Sequence, residues 1–319
     1  MDNDGDFVVA WTSASGQDGD LDGIFAQRYN SGGVAQGSEF QVNTHNSNIQ
    51  RVPSVSLDAD GDFVIAWESK DQEGATYGYG IYAQRYDSVG VAQGSEFHVN
   101  SYFTSNQSEA SVALDDDGDF VVTWTSATSQ DGSGNGVFAR RFDSNANALT
   151  VSEFQVNSHF TNDQNTPVVA IDSDGDFVIA WQSYGQDGQY GGVYAQRFNS
   201  TGSAQGSEFK VNTYTTHIQR DPAISMDSDG DFVITWNSKG FNFPSQDGSD
   251  YGVYTQRYNS LGVAQGSEFK TNTYTSDDQA APAIALDSNG DFVIVWQSEQ
   301  DGDNYGIYGK RYNASGRVQ

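Results

Sequence analysis

Apolar residues along this chain come in short runs, rich in Val, Ile, Phe, Tyr and Trp and bounded by Gly, Asp, Asn and Ser, and no window sustains a helical period. That pattern predicts strands. Four such runs follow one another and are lettered A (Val55 to Leu57), B (Phe63 to Trp67), C (Gly80 to Tyr86) and D (Glu96 to Val99). The set then returns. Asp-x-Asp-Gly-Asp-Phe-Val-(Val/Ile)-x-Trp begins at Asp2, Asp58, Asp115, Asp172 and Asp227, and with one Asn at Asp287. It is followed by Gly-(Ile/Val)-(Tyr/Phe)-x-x-Arg-(Tyr/Phe), as in Gly80 to Tyr86, and by Glu-Phe-x-(Val/Thr)-Asn at Glu39, Glu96, Glu153, Glu208 and Glu268.

A period of about 55 to 60 residues marks one supersecondary unit repeated along the chain. Four short antiparallel strands per unit make the blade of a β-propeller, so the expected fold is all-β, a six-bladed β-propeller counted as a single domain over 1–319. The terminal blades are incomplete, with six B and C strands but five D and A strands. Six full repeats would need about 340 residues. The expectation is a fragment of a longer secreted protein, with edge-to-edge assembly through the incomplete blades as the alternative.

The net charge of −28 argues against nucleic acid and anionic membrane, which both select clustered Lys and Arg. No cysteine occurs, so disulfides and thiolate metal sites are out, and no apolar run approaches a membrane span. Of the 43 acidic residues, 17 occupy the first, third and fifth places of the Asp-rich turns. These are Asp2, Asp4, Asp6, Asp58, Asp60, Asp62, Asp115, Asp117, Asp119, Asp172, Asp174, Asp176, Asp227, Asp229, Asp231, Asp287 and Asp291, with Asn289 as the exception. Carboxylates so spaced can converge on Ca²⁺, a hard cation that takes six to eight oxygens. Six Ca²⁺ would bring the net charge from −28 to about −16. Asp-Gly is equally a favoured hairpin turn that needs no metal, and the loop lacks the distant acid that closes a calcium loop. Both readings stand at this point.

Trp11, Trp67, Trp124, Trp181, Trp236 and Trp296 end strand B and are expected to fill the space between blades rather than stack on sugar. Arg28, Arg85, Arg141, Arg197, Arg257 and Arg311 share one place in strand C and are expected to pair with acids and hold strands or blades together. His45, His98, His159 and His217 form no metal spacing and are expected at the surface. Alternating strands put the A–B turns and C–D linkers at one end of each blade and the B–C and D–A loops at the other. The second end varies, and variable loops on a rigid scaffold suit binding. Tyr184, Tyr190, Phe241, Phe243, Tyr251 and Tyr305 could stack on sugar rings while Asp187, Asp247 and Asp301 accept hydroxyls; plain turn chemistry explains the same Asp-Gly pairs. Three sequons, at Asn106, Asn199 and Asn313, permit glycosylation.

The run Pro-x-(Val/Ile)-x-x-x-Asp-x-Asp-Gly-Asp-Phe-Val-Ile-x-Trp with Gln-Asp-Gly and Gly-Ser-Glu-Phe-x-Val-Asn resembles repeats of large secreted bacterial surface proteins that accompany hemolysin-type calcium-binding repeats. Its Asp-rich turn is loosely similar to the calcium hairpin of integrin-α (FG-GAP) blades. That resemblance implies an extracellular or cell-surface adhesion module with Ca²⁺ as a structural ion. Catalysis needs a unique constellation, whereas the charged residues here recur almost sixfold, and no nucleophile or metal motif appears. The expectation is therefore a non-catalytic module that binds an extracellular glycan or protein through its variable loops. A fibre built from copies of itself is the alternative, and a glycosidase-type propeller is the remaining reading.

Overall fold

The computed structural model describes residues 1–319 apart from 15, 75–77, 129, 189, 241–245, 247, 249–250 and 303. The described residues contain no helix; every regular element is a strand, and the strands form six separate antiparallel sheets. The chain is thus all-β with six propeller blades. It divides into two compact units, Met1–Val156 and Asn157–Gln319, with three blades in each.

In the first unit blade 1 is β1 (Phe7–Ser13), β2 (Gly23–Tyr29) and β3 (Ala35–Gln41). Blade 2 is β4 (Gln50–Leu57), β5 (Phe63–Lys70), β6 (Tyr79–Tyr86) and β7 (Phe97–His98); blade 3 is β8 (Gln107–Leu114), β9 (Phe120–Ser126), β10 (Gly136–Phe142) and β11 (Phe154–Gln155). In the second unit blade 4 is β12 (Gln164–Ile171), β13 (Phe177–Tyr184), β14 (Gly191–Phe198) and β15 (Phe209–Lys210), and blade 5 is β16 (Ile218–Met226), β17 (Phe232–Lys239), β18 (Tyr251–Tyr258) and β19 (Phe269–Lys270). Blade 6 is β20 (Gln279–Leu286), β21 (Phe292–Ser298) and β22 (Gly306–Tyr312). As expected, blade 1 lacks strand A and blade 6 lacks strand D.

The Phe-Val-Ile-Ala-Trp run has a packing logic. Phe63, Ile65 and Trp67 lie on one face of blade 2 against Ile24, Ala26 and Val42 of blade 1, while Val64 and Ala66 lie on the other against Phe120, Val122 and Trp124 of blade 3. The second unit repeats this, with Phe232, Ile234 and Trp236 against Val178, Ala180 and Val193. Within each unit the large face of one blade fills the space left by the small face of its neighbour, and a strand buried on both faces reads as continuously apolar. Trp67, Trp124, Trp181 and Trp236 are 0% exposed, whereas Trp11 is half-buried. Each Phe that opens strand B stacks on the aromatic that ends strand C, as in Phe120–Phe142 at 4.9 Å.

Strand A starts earlier than its apolar residues suggest, at Gln50 rather than Val55. The extension is polar because it forms buried hydrogen bonds: Gln50, Gln107, Gln164, Gln219 and Gln279 are each 0% exposed, and each accepts from or donates to neighbouring loop groups. Three residues in, each A strand bulges, with Val52, Glu109, Thr166, Asp221 and Ala281 at positive φ. Strand D, by contrast, shrinks to two residues in blades 2 to 5.

Candidate functional site

The Asp-rich turns are closed by their own hydrogen bonds. Asp58 Oδ1 accepts the backbone N–H of Asp60 at 3.0 Å and of Asp62 at 2.9 Å, and the same pair of bonds forms at Asp2, Asp115, Asp172, Asp227 and Asp287. The fifth residue reaches the C–D linker: Asp62 Oδ1 accepts Ser88 N–H at 2.8 Å, and Asp6, Asp119, Asp176, Asp231 and Asp291 do likewise in their blades. The middle side chains, Asp4, Asp60, Asp117, Asp174, Asp229 and Asn289, point to solvent. Gly61 is required twice over, by φ of 86° and because a Cβ there would lie 2.9 Å from Asp2 Oδ2 of the preceding blade.

The three carboxylates of one turn are thus arranged as a hydrogen-bonded hairpin, and among the described residues no group of three or more His, Cys, Asp or Glu side chains is placed to hold a metal. Crowding is nonetheless real. Burial, with the charge of Asp119 added, pushes the Asp115 carboxyl up to about 6, and burial likewise raises Asp58, Asp172 and Asp227. Between turns of neighbouring blades lie pockets of about 570 Å³, lined by Asp58, Asp62 and Asp117, and about 470 Å³, lined by Asp227, Asp231 and Asn289.

Three of the strand C arginines join blades, and they do so through carbonyl oxygens rather than the expected ion pairs. Arg28 Nη1 donates to Val89 O of the next blade at 2.7 Å, Arg197 Nη1 to Leu261 O at 2.9 Å, and Arg257 Nη1 to Ser315 O at 2.9 Å. Nor are the histidines simply surface residues. All four are half-buried, and His98 stacks on Phe103 with its Nε2 2.8 Å from Glu73 Oε1.

At the other end of the blades the Gln-Asp-Gly loops are also bound into the repeat. Gln130 donates to Glu153 Oε1 at 2.9 Å while Glu153 Oε2 accepts Ser101 N–H of the preceding blade at 2.9 Å; Glu96, Glu208 and Glu268 form the same clasp. Asp187 Oδ2 accepts Asn212 Nδ2 at 3.0 Å, which absorbs it into this framework. Tyr190 faces His217, Tyr184 is half-buried, and Asp301 and Tyr305 are exposed. Phe241, Phe243 and Asp247 lie outside the described residues.

Where the repeat breaks down, chemistry collects. The residue after each strand B Trp varies from blade to blade: Thr12, Glu68, Thr125, Gln182, Asn237, Gln297. Glu68 is 2% exposed; its Oε2 takes Arg51 Nε at 2.8 Å and its Oε1 accepts Glu109 N–H of blade 3 at 2.7 Å. Glu109 in turn accepts Thr125 Oγ1 at 2.7 Å, and the Arg51 guanidinium lies 4.2 Å over the Tyr79 ring. In the second unit Asp221 Oδ2 accepts Asn237 Nδ2 at 3.0 Å and sits 3.1 Å from Arg220 Nε, while Arg220 and Lys239 lie 4.8 Å and 4.1 Å from the Tyr251 ring centre. Of the described side chains expected to bind ligand, Tyr251 is the one placed in these two clusters. The departures from the repeat at Glu68, Glu109, Arg220 and Asp221 were the available signal.

No protein-family model matches the chain, and no curated protein matches it. Solved structures do. An α-L-arabinanase from Penicillium chrysogenum complexed with arabinobiose is 13% identical, covers 100% of this chain and 92% of its own, and has a TM-score of 0.64. The α-L-arabinofuranosidase ARB93A from Fusarium graminearum, in complex with an iminosugar inhibitor, is 9% identical with a TM-score of 0.63 over 99% of this chain and 92% of its own. A protein of unknown function from Dyadobacter fermentans has a TM-score of 0.59 at 12% identity, covering 97% and 91%. At these identities the likeness establishes the fold.

Three expectations are corrected by these findings. The resemblance to hemolysin-associated and integrin-type repeats is not upheld: the structural neighbours are arabinanase-type proteins, and only the propeller fold carries over. The non-catalytic adhesion module, with the fibre as its alternative, gives way for the same reason, as does the expectation that the chain is not an enzyme. The argument behind them, that sixfold repetition leaves no unique constellation, fails at Glu68, which no other blade reproduces, and at Arg51 and Glu109, whose counterparts Arg220 and Asp221 occur in blade 5 while the remaining blades lack them.

Proposed function

We propose that this chain is a carbohydrate-active propeller of the glycosidase type, taking its glycan where strands A and B meet the B–C loops. The carrying observation is the position of the only acids among the bulged residues of strand A, Glu109 in the first unit and Asp221 in the second, where the other blades hold Val52, Thr166 and Ala281. Both are part-exposed, so a sugar can reach them. Proton transfer by a carboxyl is the chemistry that glycoside cleavage requires. Glu68, almost wholly buried, is a positioning residue: it fixes Arg51 and the Glu109 backbone. The neighbours' substrates support a polysaccharide, and an extracellular setting follows from that class. Among the described residues no helix is long and apolar enough to cross a membrane.

The test is release of reducing ends from a polysaccharide panel that includes arabinan. The double variant Glu109→Gln/Asp221→Asn should lower turnover by about 10²-fold or more with melting unchanged. No release from any polysaccharide, or a double variant as active as the parent, would remove the reading.

A second reading concerns Ca²⁺ at the acidic turns. It is supported by the raised Asp58, Asp115, Asp172 and Asp227 carboxyls, whose crowding a cation would relieve. The hairpin geometry offers no preformed cage, so the ion would have to draw carboxylates of neighbouring turns together. A site filled to a hundred times its dissociation constant adds about 2.7 kcal/mol. Equal melting temperatures in excess Ca²⁺ and in EDTA would exclude it.

A further inference from the structure

Blades 2 and 5 share a set of residues that the other blades lack. Each has Ile-Gln-Arg-x-Pro in strand A, at Ile49 and Ile218, and Trp-x-Ser-Lys in strand B, at Trp67 and Trp236. Each opens strand C with a tyrosine, Tyr79 or Tyr251, paired in register with the lysine, Lys70 or Lys239. Blade 6 keeps the tyrosine as Tyr305 but replaces the two basic residues by Ala280 and Glu299. In a chain with 15 Lys and Arg and a net charge of −28, Arg51 over Tyr79 beside Lys70, and Arg220 and Lys239 over Tyr251, are not explained by the repeat.

We propose that these two sets are subsites for a carboxylate-bearing sugar, a uronic acid residue of an acidic glycan. The proposal rests on the carbohydrate-active reading above and gives it a substrate class. The geometry is that of a held, partly exposed cation. Arg51 has 43% of its side chain exposed, its Nε is bound by Glu68, and among the described residues nothing is bonded to its two Nη atoms. Arg220, 37% exposed, is fixed by Asp221 through Nε and by the Tyr251 hydroxyl through Nη2. Stacking and a side-on acid lock the Arg51 guanidinium with both Nη groups left for a ligand, a fork that matches the planar carboxylate, while Arg220, its Nη2 held by Tyr251, offers Nη1. The acid partner lowers the local charge but fixes the angle: in blade 5 Arg220 and Lys239 outnumber Asp221, whereas in blade 2 Arg51 and Lys70 are balanced by Glu68 and Glu109, so blade 5 is the stronger of the two subsites. The acidic turns lie at the opposite end of the same strand B. From Asp62 to Ser69 is about 23 Å of strand, well beyond the Debye length of about 8 Å at physiological salt. Their repulsion is therefore screened where the sugar would dock.

The probes are oligogalacturonate, the same oligomer with its carboxyls chemically reduced, and a sulfated neutral oligosaccharide, titrated calorimetrically at 0.15 M salt. Oligogalacturonate should bind at least 10-fold more tightly than the reduced oligomer, and Arg51→Gln with Arg220→Gln should abolish that preference while Arg→Lys at both keeps part of it and melting stays constant. Equal binding of the acidic and reduced oligomers would overturn the proposal and leave the carbohydrate-active reading standing. Tighter binding of the sulfated probe would overturn the carboxylate assignment, and no binding or cleavage of any glycan would overturn both readings.

Discussion

At one end of blade 3 Asp115 shares a tight turn with Asp117 and Asp119, and burial together with the Asp119 charge raises its carboxyl to about 6. Toward the other end Glu153 is also part-buried, yet hydrogen bonds from Ser101 and Gln130 outweigh that burial and hold its carboxyl below the ordinary glutamate range. Similar burial thus has opposite consequences, because one carboxylate is met by donors and the other by carboxylates as well. The repeat spends its acids in two ways: clasps that want the charge, and turns that tolerate it. Glu68, Glu109 and Asp221 belong to neither device and are single acids that depart from the pattern.

The most severe way to break the comparison is to remove the packing that both ends of the blade share. Trp124 is 0% exposed, fills the face turned to blade 2, and donates its Nε1–H to Gln107 Oε1 at 2.8 Å. Trp124→Ala should cost about 3 to 5 kcal/mol in chemical denaturation, by the void and by leaving Gln107 without its donor. A loss under about 1 kcal/mol would mean that the sheets do not depend on these rings.

Next in size is the clasp. Glu153→Ala unpairs Ser101 N–H and Gln130 together and should cost about 2 kcal/mol near neutral pH. Because the folded carboxyl titrates below the ordinary glutamate range, its contribution is present above the unfolded pKa and is lost as pH falls through the folded pKa. The variant and the parent should therefore converge in stability under strong acid. By contrast Asp174→Ala, at the solvent-facing middle place of a turn, should stay within about 0.5 kcal/mol.

How much of this could be read from residues alone follows the same division. The strands, their order, the missing outer elements of blades 1 and 6 and the burial of Trp67 to Trp236 all rest on local pattern, and period and composition carry local pattern well. The polar half of strand A was hidden because Gln50-Arg51-Val52 has no apolar run; its burial comes from loop contacts such as Ser47 O and from Glu68, which are tertiary. The arginine partners were missed for a related reason. Charge arithmetic favours a carboxylate for Arg28 or Arg257, but the nearest acceptors across the seam are backbone carbonyls, which composition does not display. The unique clusters were visible only as exceptions. A reading built on what repeats discounts them, although a broken repeat is where selection for chemistry would show.

An effect smaller than that of the clasp isolates the crowded turn. Since the folded Asp115 carboxyl sits near 6 and the unfolded one near 3.8, its stabilising contribution is fully present below about 4 and is lost as pH rises through about 6. The burial-raised Asp58, Asp172 and Asp227 act in the same direction. In metal-free buffer the protein should accordingly melt higher at pH 5 than at pH 7, which is the reverse of what the Glu153 clasp contributes. Asp115→Asn keeps an Oδ1 to accept the N–H groups of Asp117 and Asp119 while removing the charge, so it should raise stability at pH 7 by on the order of 1 kcal/mol and flatten the slope between pH 5 and 7. If the slope survives in that variant, the crowding lies at Asp58, Asp172 and Asp227 instead, and their Asn variants locate it. Should Ca²⁺ abolish the slope in the parent but leave the Asn variant unchanged, the same measurement assigns the cation to this turn.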